Sequence, residues 1–92
     1  MAFYLVCFDI TEDRARYRVG AALLDYGTRV QRSVFEIEVP SGAELERLRE
    51  AISQELAEDD DCRFYALCKT CRRRSTDTNG ERVAYLPAAV LI

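Results

Sequence analysis

Residues 3–8 read FYLVCF, six apolar side chains without a polar interruption. A β-strand sends successive side chains to opposite faces, so a run of this kind needs cover on both. It is read as a central strand, and the rest of the chain has to be layered around it. Asp9 ends the run, and Arg14, Arg16 and Arg18 follow on alternate positions. The functional question is why a buried strand should deliver one carboxylate and lead at once into positive charge.

The following residues set the architecture. Thr11 can cap a helix, with Glu12 and Asp13 in its first turn, where the helix dipole favours negative charge. Apolar residues then recur at Ala15, Val19, Ala22, Leu23 and Tyr26, which is helical spacing, and Gly27 is the expected stop. In RVQRSVFEIEV, Val30 is out of phase with Phe35, Ile37 and Val39, which predicts a bulge or tight reversal near Gln31 to Ser33 and two short strands. Pro40 ends this segment. Ser41 and Glu44 form a capping box for a second helix whose apolar face is Leu45, Leu48, Ile52 and Leu56. EDDD at 58–61 is a solvated acidic loop, and residues 62–69, CRFYALCK, are another core strand. RRRSTDTNG is a basic, polar connection with an Asn79-Gly80 turn signal, and RVAYL and AAVLI are candidate tail strands around Pro87. This order predicts an α+β, ferredoxin-like sandwich: one antiparallel sheet with two helices on one face. The other face and the apolar tail are most economically buried by a second copy of the chain.

Ninety-two residues support one domain, 1–92, with one core and little room for a deep pocket, which places any site near a subunit interface. There is no apolar run of about 18 residues and no basic region leading into an apolar leader, so the expectation is no membrane and a cytoplasmic location. The net charge of −3 argues against a nucleic-acid partner until its distribution is considered. Residues 11–35 carry five arginines against three acids, and residues 62–92 six basic groups against two acids, while residues 36–61 hold ten acids against two arginines. A positive face can form where the first and last segments meet.

The four cysteines are Cys7, Cys62, Cys68 and Cys71, and CKTC has the spacing of a zinc or redox pair. With no histidine, a zinc site would need all four, including Cys7 within the apolar strand. The preferred reading is free thiols in a reducing compartment, with Cys7 and Cys62 acting as small buried hydrophobes.

The stretch YLVCFDITEDRARYRVGAALLDYGTRVQRSVFEIEV resembles the N-terminal signature of the small CRISPR-associated adaptation proteins, the Cas-two family. Three features carry the resemblance: an apolar strand ending in Asp-Ile, arginines in the first helix, and YGTRVQRSVFE after it. It implies a ferredoxin-like homodimer whose C-terminal strand packs on the partner, with residues 81–92 as the exchanging tail. It also implies a part in spacer acquisition for antiviral defence, bridging two CRISPR integrase dimers and holding DNA, and a magnesium-dependent endonuclease activity on RNA or double-stranded DNA. By motif position Asp9 matches the family's metal and catalytic residue. Arg16, Arg18 and Arg29 match arginines associated with activity, and Phe35 matches the aromatic of the SVF segment. Many members have tyrosine before the aspartate, where this chain has Phe8.

The chemistry of the residues is compatible with those roles. Mg2+ keeps several waters and uses one or two carboxylates, so Asp9 from each of two subunits could supply a pair. Such an ion polarises a scissile phosphate and acidifies a water near neutral pH. Arginine pairs with phosphate oxygens through a planar fork, which makes Arg14, Arg16, Arg18 and Arg29, and the cluster Arg72, Arg73 and Arg74, candidate nucleic-acid contacts. Each has a plainer alternative. Asp9 could fold back on its loop, and Arg14 and Arg18 could pair with Glu12 or Asp13. Arg72 to Arg74 could be a solvated loop, and Phe35 could be core instead of a base-stacking platform. Three functions therefore stand side by side: a DNA-binding scaffold of the adaptation complex, a metal-dependent endonuclease using Asp9, and a regulatory module unrelated to nucleic acid.

Overall fold

The computed structural model describes residues 1–84, in the order β1 (Ala2–Asp9), α1 (Asp13–Leu24), β2 (Gly27–Gln31), β3 (Val34–Val39), α2 (Gly42–Ser53), β4 (Asp61–Leu67) and α3 (Lys69–Arg73). The four strands form one antiparallel sheet in the order β2-β3-β1-β4, so the uninterrupted apolar run does occupy a central strand. Even-numbered β1 residues and odd-numbered β3 residues face the same way, because Val6 is paired with Phe35 and Tyr4 with Ile37. That face meets both helices: Val6, Phe8, Phe35, Ile37 and Val39 join Ala15, Val19 and Leu23 of α1 and Leu45, Leu48 and Ile52 of α2 in one core. This is the ferredoxin-like sandwich expected from the element order. No helix among the described residues is long and apolar enough to cross a membrane.

The phase change in residues 30–39 resolves into both anticipated devices. A turn at Arg32-Ser33 separates β2 from β3, and the register shifts between Arg29 and Gln31. Ser41 caps α2, its hydroxyl accepting the Glu44 N–H at 3.2 Å. The Glu44 carboxylate does not complete the reciprocal half of the box. It accepts instead from the Tyr26 hydroxyl and pairs with Arg47, which holds Glu44 below the usual carboxylate range and raises the Tyr26 phenol above its ordinary value.

Several local expectations are corrected. Thr11 does not cap α1: Glu12 holds that position without a side-chain bond, while Thr11 gives its N–H and hydroxyl to Asp60 Oδ1 at 3.1 and 3.3 Å. Asp60 also accepts the Ala57 N–H, so one residue of the acidic loop ties the α2–β4 connection to the β1–α1 turn. Gly27 does not stop α1, which ends at Leu24 with Asp25 as its cap. Gly27 starts β2, where a Cβ would lie 1.9 Å from the Glu36 carbonyl oxygen. Among the described strands β4 lies at the edge of the sheet, with Arg63, Tyr65 and Ala66 exposed, where a core strand is expected. Residues 69–73 form α3, spanning the expected end of the strand at Lys69 and the start of the basic connection at Arg72.

The face away from the helices is partly covered. Phe3 is buried against Ala84, with Leu67 and Val83 beside them, and the Arg72 guanidinium lies 4.1 Å from the Phe3 ring centroid. Asn79-Gly80 forms the expected turn, with Gly80 at φ +80 and Asp77 Oδ1 accepting the N–H groups of Asn79 and Glu81. The AAVLI strand and the end of RVAYL lie outside the described residues, as does most of the 81–92 tail assigned to dimer exchange.

Candidate functional site

The end of β1, the first half of α1 and the β2–β3 turn enclose a cleft of about 220 Å³ lined by Phe8, Asp13, Arg16, Tyr17, Arg29, Arg32 and Ser33. Its floor is aromatic. Phe35, with no exposed surface, stacks on Phe8 with centroids 5.9 Å apart, and Arg29 lies over the Phe35 ring at 5.5 Å. The turn is pinned by Phe8 N–H donating to the Ser33 carbonyl at 3.0 Å. Arg29 and Arg32 are exposed and form no ion pair among the described residues. Tyr17 adds an outward-facing ring, 77 % exposed. Two guanidinium forks beside the exposed Tyr17 ring have the chemistry to pair with phosphate oxygens and to stack on a base.

The predicted arginines have different fates. Arg16 lines the cleft but is committed to the fold: Nη1 donates to the carbonyls of Ile10 and Thr11 at 2.9 and 3.0 Å, and Nη2 pairs with Asp13. Arg18 pairs with Glu55 at 2.7 Å, joining α1 to the turn after α2 and not meeting Glu12 or Asp13. Arg14 is exposed without an ion pair among the described residues. Arg72 covers Phe3 and donates from Nε to the Ala84 carbonyl at 3.4 Å, so it seats the chain more than it presents charge. Arg73 and Arg74 are exposed at the end of α3. Phe35 is core and cannot act as a stacking platform; Tyr17 has the exposed ring.

Asp9 is exposed at the end of β1, directly across from Asp61 at the start of β4. Strand alternation puts it on the sheet face opposite Phe8, so Asp9 and the arginine cleft share one end of the sheet but not one face. A tyrosine at position 8 would likewise project away from Asp9. Asp61 is paired with Arg63, whose Nε donates to Asp61 Oδ2 at 2.7 Å and whose pKa is raised by Tyr65 and Asp61. Asp61, Arg63, Arg32 and Tyr17 are the residues that the structure adds to the candidates. With the last strand starting at Cys62, Asp61 reads as part of the acidic loop 58–61. Pairing the two strand ends from Asp9 outward would have exposed both Asp61 and Arg63.

Two hard oxygen donors on adjacent strands suit Mg2+, which needs few protein ligands. Among the described residues no group of three or more Asp, Glu, Cys or His side chains converges to form a complete cage. Asp9 and Asp61 offer two carboxylates, Asp61 being already paired with Arg63, so an ion held there would take its remaining ligands from water and substrate.

Residues 1–75 match the family model for CRISPR associated protein Cas2. The chain is similar to a Rhodospirillum rubrum protein called CRISPR-associated endoribonuclease Cas2 4, with 39% identity over 74 residues, covering 80% of this chain and 60% of that relative's length. Among solved structures it is similar to a chain of a partial Cas6-RT-Cas1–Cas2 complex, with 37% identity and a TM-score of 0.80, covering 94% of this chain and 100% of that one. It is also similar to Streptococcus pyogenes Cas2, with 33% identity and a TM-score of 0.73, covering 82% and 96%.

Proposed function

The chain belongs to the CRISPR-associated protein Cas2 family, and on that premise we propose that it acts in CRISPR spacer acquisition as a nucleic-acid-binding homodimer bridging integrase dimers, with endoribonuclease activity at Asp9. The observation that carries the binding half is the cleft holding Arg29 and Arg32. Their forks can each take two phosphate oxygens, while Arg16 and Asp13 keep the helix start fixed beside them. Tyr17 offers its face to an unpaired base, and the contacts read backbone, not sequence. The resemblance to a chain solved within a Cas1–Cas2 complex supports the integrase partner.

The catalytic half rests on Asp9, its neighbour Asp61 and the endoribonuclease name of the Rhodospirillum relative. Asp9, together with Asp61 or with Asp9 of the partner subunit, would hold a magnesium ion. When bound, that ion supplies charge stabilisation at the scissile phosphate and a more acidic water. Arg63 keeps Asp61 oriented and adds positive charge on the Asp9 face.

Binding of labelled duplex DNA and single-stranded RNA across a salt series tests the first half. Each lost phosphate contact lowers the log–log salt slope by roughly 0.9 on B-DNA and about 0.7 on single strands, so replacing both Arg29 and Arg32 by alanine is expected to reduce it by about 2 on duplex. Arg18→Ala serves as the control, because that side chain is paired with Glu55. An unchanged slope in the double variant would refute the cleft as the interface. Asp9→Asn should abolish RNA cleavage that wild-type protein shows with magnesium and loses with EDTA; equal residual cleavage by both proteins would remove the enzyme and leave the scaffold. A monomeric mass at micromolar concentration would overturn the homodimer.

A further inference from the structure

We propose that Cys68 and Cys71 form a reversible dithiol–disulfide pair that undergoes exchange with low-molecular-weight disulfides, a modification site separate from both the arginine cleft and Asp9. Their Sγ atoms lie 3.3 Å apart, and both residues are exposed. A disulfide bond is about 2.0 Å long, so closure takes little more than 1 Å of approach. The backbone is already shaped for it. Cys68 precedes α3 in an extended conformation, φ −73 and ψ 168, and its Sγ accepts the Cys71 N–H at 3.4 Å. From the other side Ser75 Oγ donates to the Cys71 carbonyl at 2.7 Å. Spacing alone left this pair as free thiols; the placement of the two sulfurs gives it a chemistry.

Cys68 is the attacking group. The Cys71 N–H and thiol hold its pKa below the ordinary thiol value, which favours the attacking thiolate. Cys7 and Cys62 supply an internal contrast. Both are half-buried, and burial pushes Cys62 up to about 11, which keeps it protonated and slow. In the first step the Cys68 thiol loses its proton and its sulfur attacks one sulfur of the small disulfide. The S–S bond breaks and one small thiol departs with the proton. In the second, Cys71 loses its proton and attacks the Cys68 sulfur of the mixed disulfide, releasing the other small thiol. Two protein thiols are oxidised to one disulfide and the small disulfide is reduced to two thiols. Closure also bears on the seat of the chain after α3, because Arg72 of that helix contacts Phe3 and Ala84.

The test uses the full chain treated with oxidised glutathione under native conditions, then acid-quenched, denatured, alkylated with iodoacetamide and mapped by mass spectrometry. The reduced control should take up four alkyl groups, one for each cysteine. The oxidised sample should take up two, with Cys68 linked to Cys71 and the link reversed by dithiothreitol. Cys71→Ser should trap a glutathione adduct at Cys68, formed several-fold faster than the adduct at Cys71 in Cys68→Ser. Four alkylations after oxidation, or a link from either residue to another chain, would overturn the proposal. The wild-type map decides this without either variant.

Discussion

Gly27→Ala and Gly42→Ala are chemically the same change, yet the structure gives them opposite signs. At Gly27 the new Cβ would sit 1.9 Å from the Glu36 carbonyl oxygen and 2.7 Å from the Ile37 Cα. Both are backbone atoms of β3, so no side-chain rotation relieves the contact, and the start of β2 must move away from its partner Ile37. Overpacking of this kind costs about 1–3 kcal/mol, and backbone atoms on the receiving side place this case near the top of that range. At Gly42, in the first turn of α2, a Cβ meets nothing within 4 Å. Restricting the unfolded chain there should stabilise by about 0.4–1 kcal/mol. For a domain of this size 1 kcal/mol moves the melting midpoint by roughly 4–8 °C. Circular dichroism melts at one protein concentration should therefore show Gly27→Ala lower by about 10–20 °C and Gly42→Ala higher by a few degrees. Salt-dependent nucleic-acid binding, measured on the same samples, should weaken only for Gly27→Ala, because β2 carries Arg29. Equal midpoints for the two variants, or shifts of the same sign, would refute the close approach of β2 and β3 as described.

Two further outcomes follow from the contacts. Asp60 is held below the ordinary carboxylate range by the Ala57 and Thr11 N–H groups, so its charge-dependent contribution is present above about pH 3.8 and is lost as the pH falls through the lower folded value. The midpoint difference between wild type and Asp60→Asn should accordingly shrink on acidification; a difference that grows below about pH 3.8 would contradict the sign. Arg72→Ala removes the cation from the Phe3 ring and should cost about 0.5–2 kcal/mol in urea denaturation, whereas Arg73→Ala, at an exposed position, should stay within about 0.5 kcal/mol of wild type.

The central strand, the out-of-phase β2–β3 segment and the Ser41 cap were legible because each depends on near neighbours in sequence. An apolar run, a change of alternation and a hydroxyl three residues before its N–H partner all leave local marks. Thr11 and Gly27 were misread for the complementary reason. Thr11 is a plausible cap until Asp60, 49 residues away, takes both of its donors. Gly27 resembles a helix stop until β3 is laid against it. Asp9 is visible at the end of the apolar run, but its relation to the arginines is not. That relation depends on the parity of positions 8 and 9 in the pleat and on the pairing of Asp9 with Asp61, and neither is visible in a one-dimensional charge pattern. Arg16 and Arg18 carry the right chemistry for phosphate, and the fold uses both internally. Arg32 carries the same chemistry in a turn that leaves it exposed.

The placement of Arg29 on the Phe35 ring would affect how a phosphate ligand is met. A free arginine samples many rotamers, and immobilising such a side chain on binding costs roughly 0.5–1.5 kcal/mol. Here the ring at 5.5 Å restricts the guanidinium beforehand, and Phe35 is itself held by Phe8. Part of that loss is taken when the chain folds, so it no longer opposes association. Lysine at position 29 would keep the charge but present no flat surface to the ring, and its side chain would still have to be ordered at the moment of contact. The core beneath the cleft thus determines not only where this cation stands but how much disorder it would surrender on meeting a phosphate.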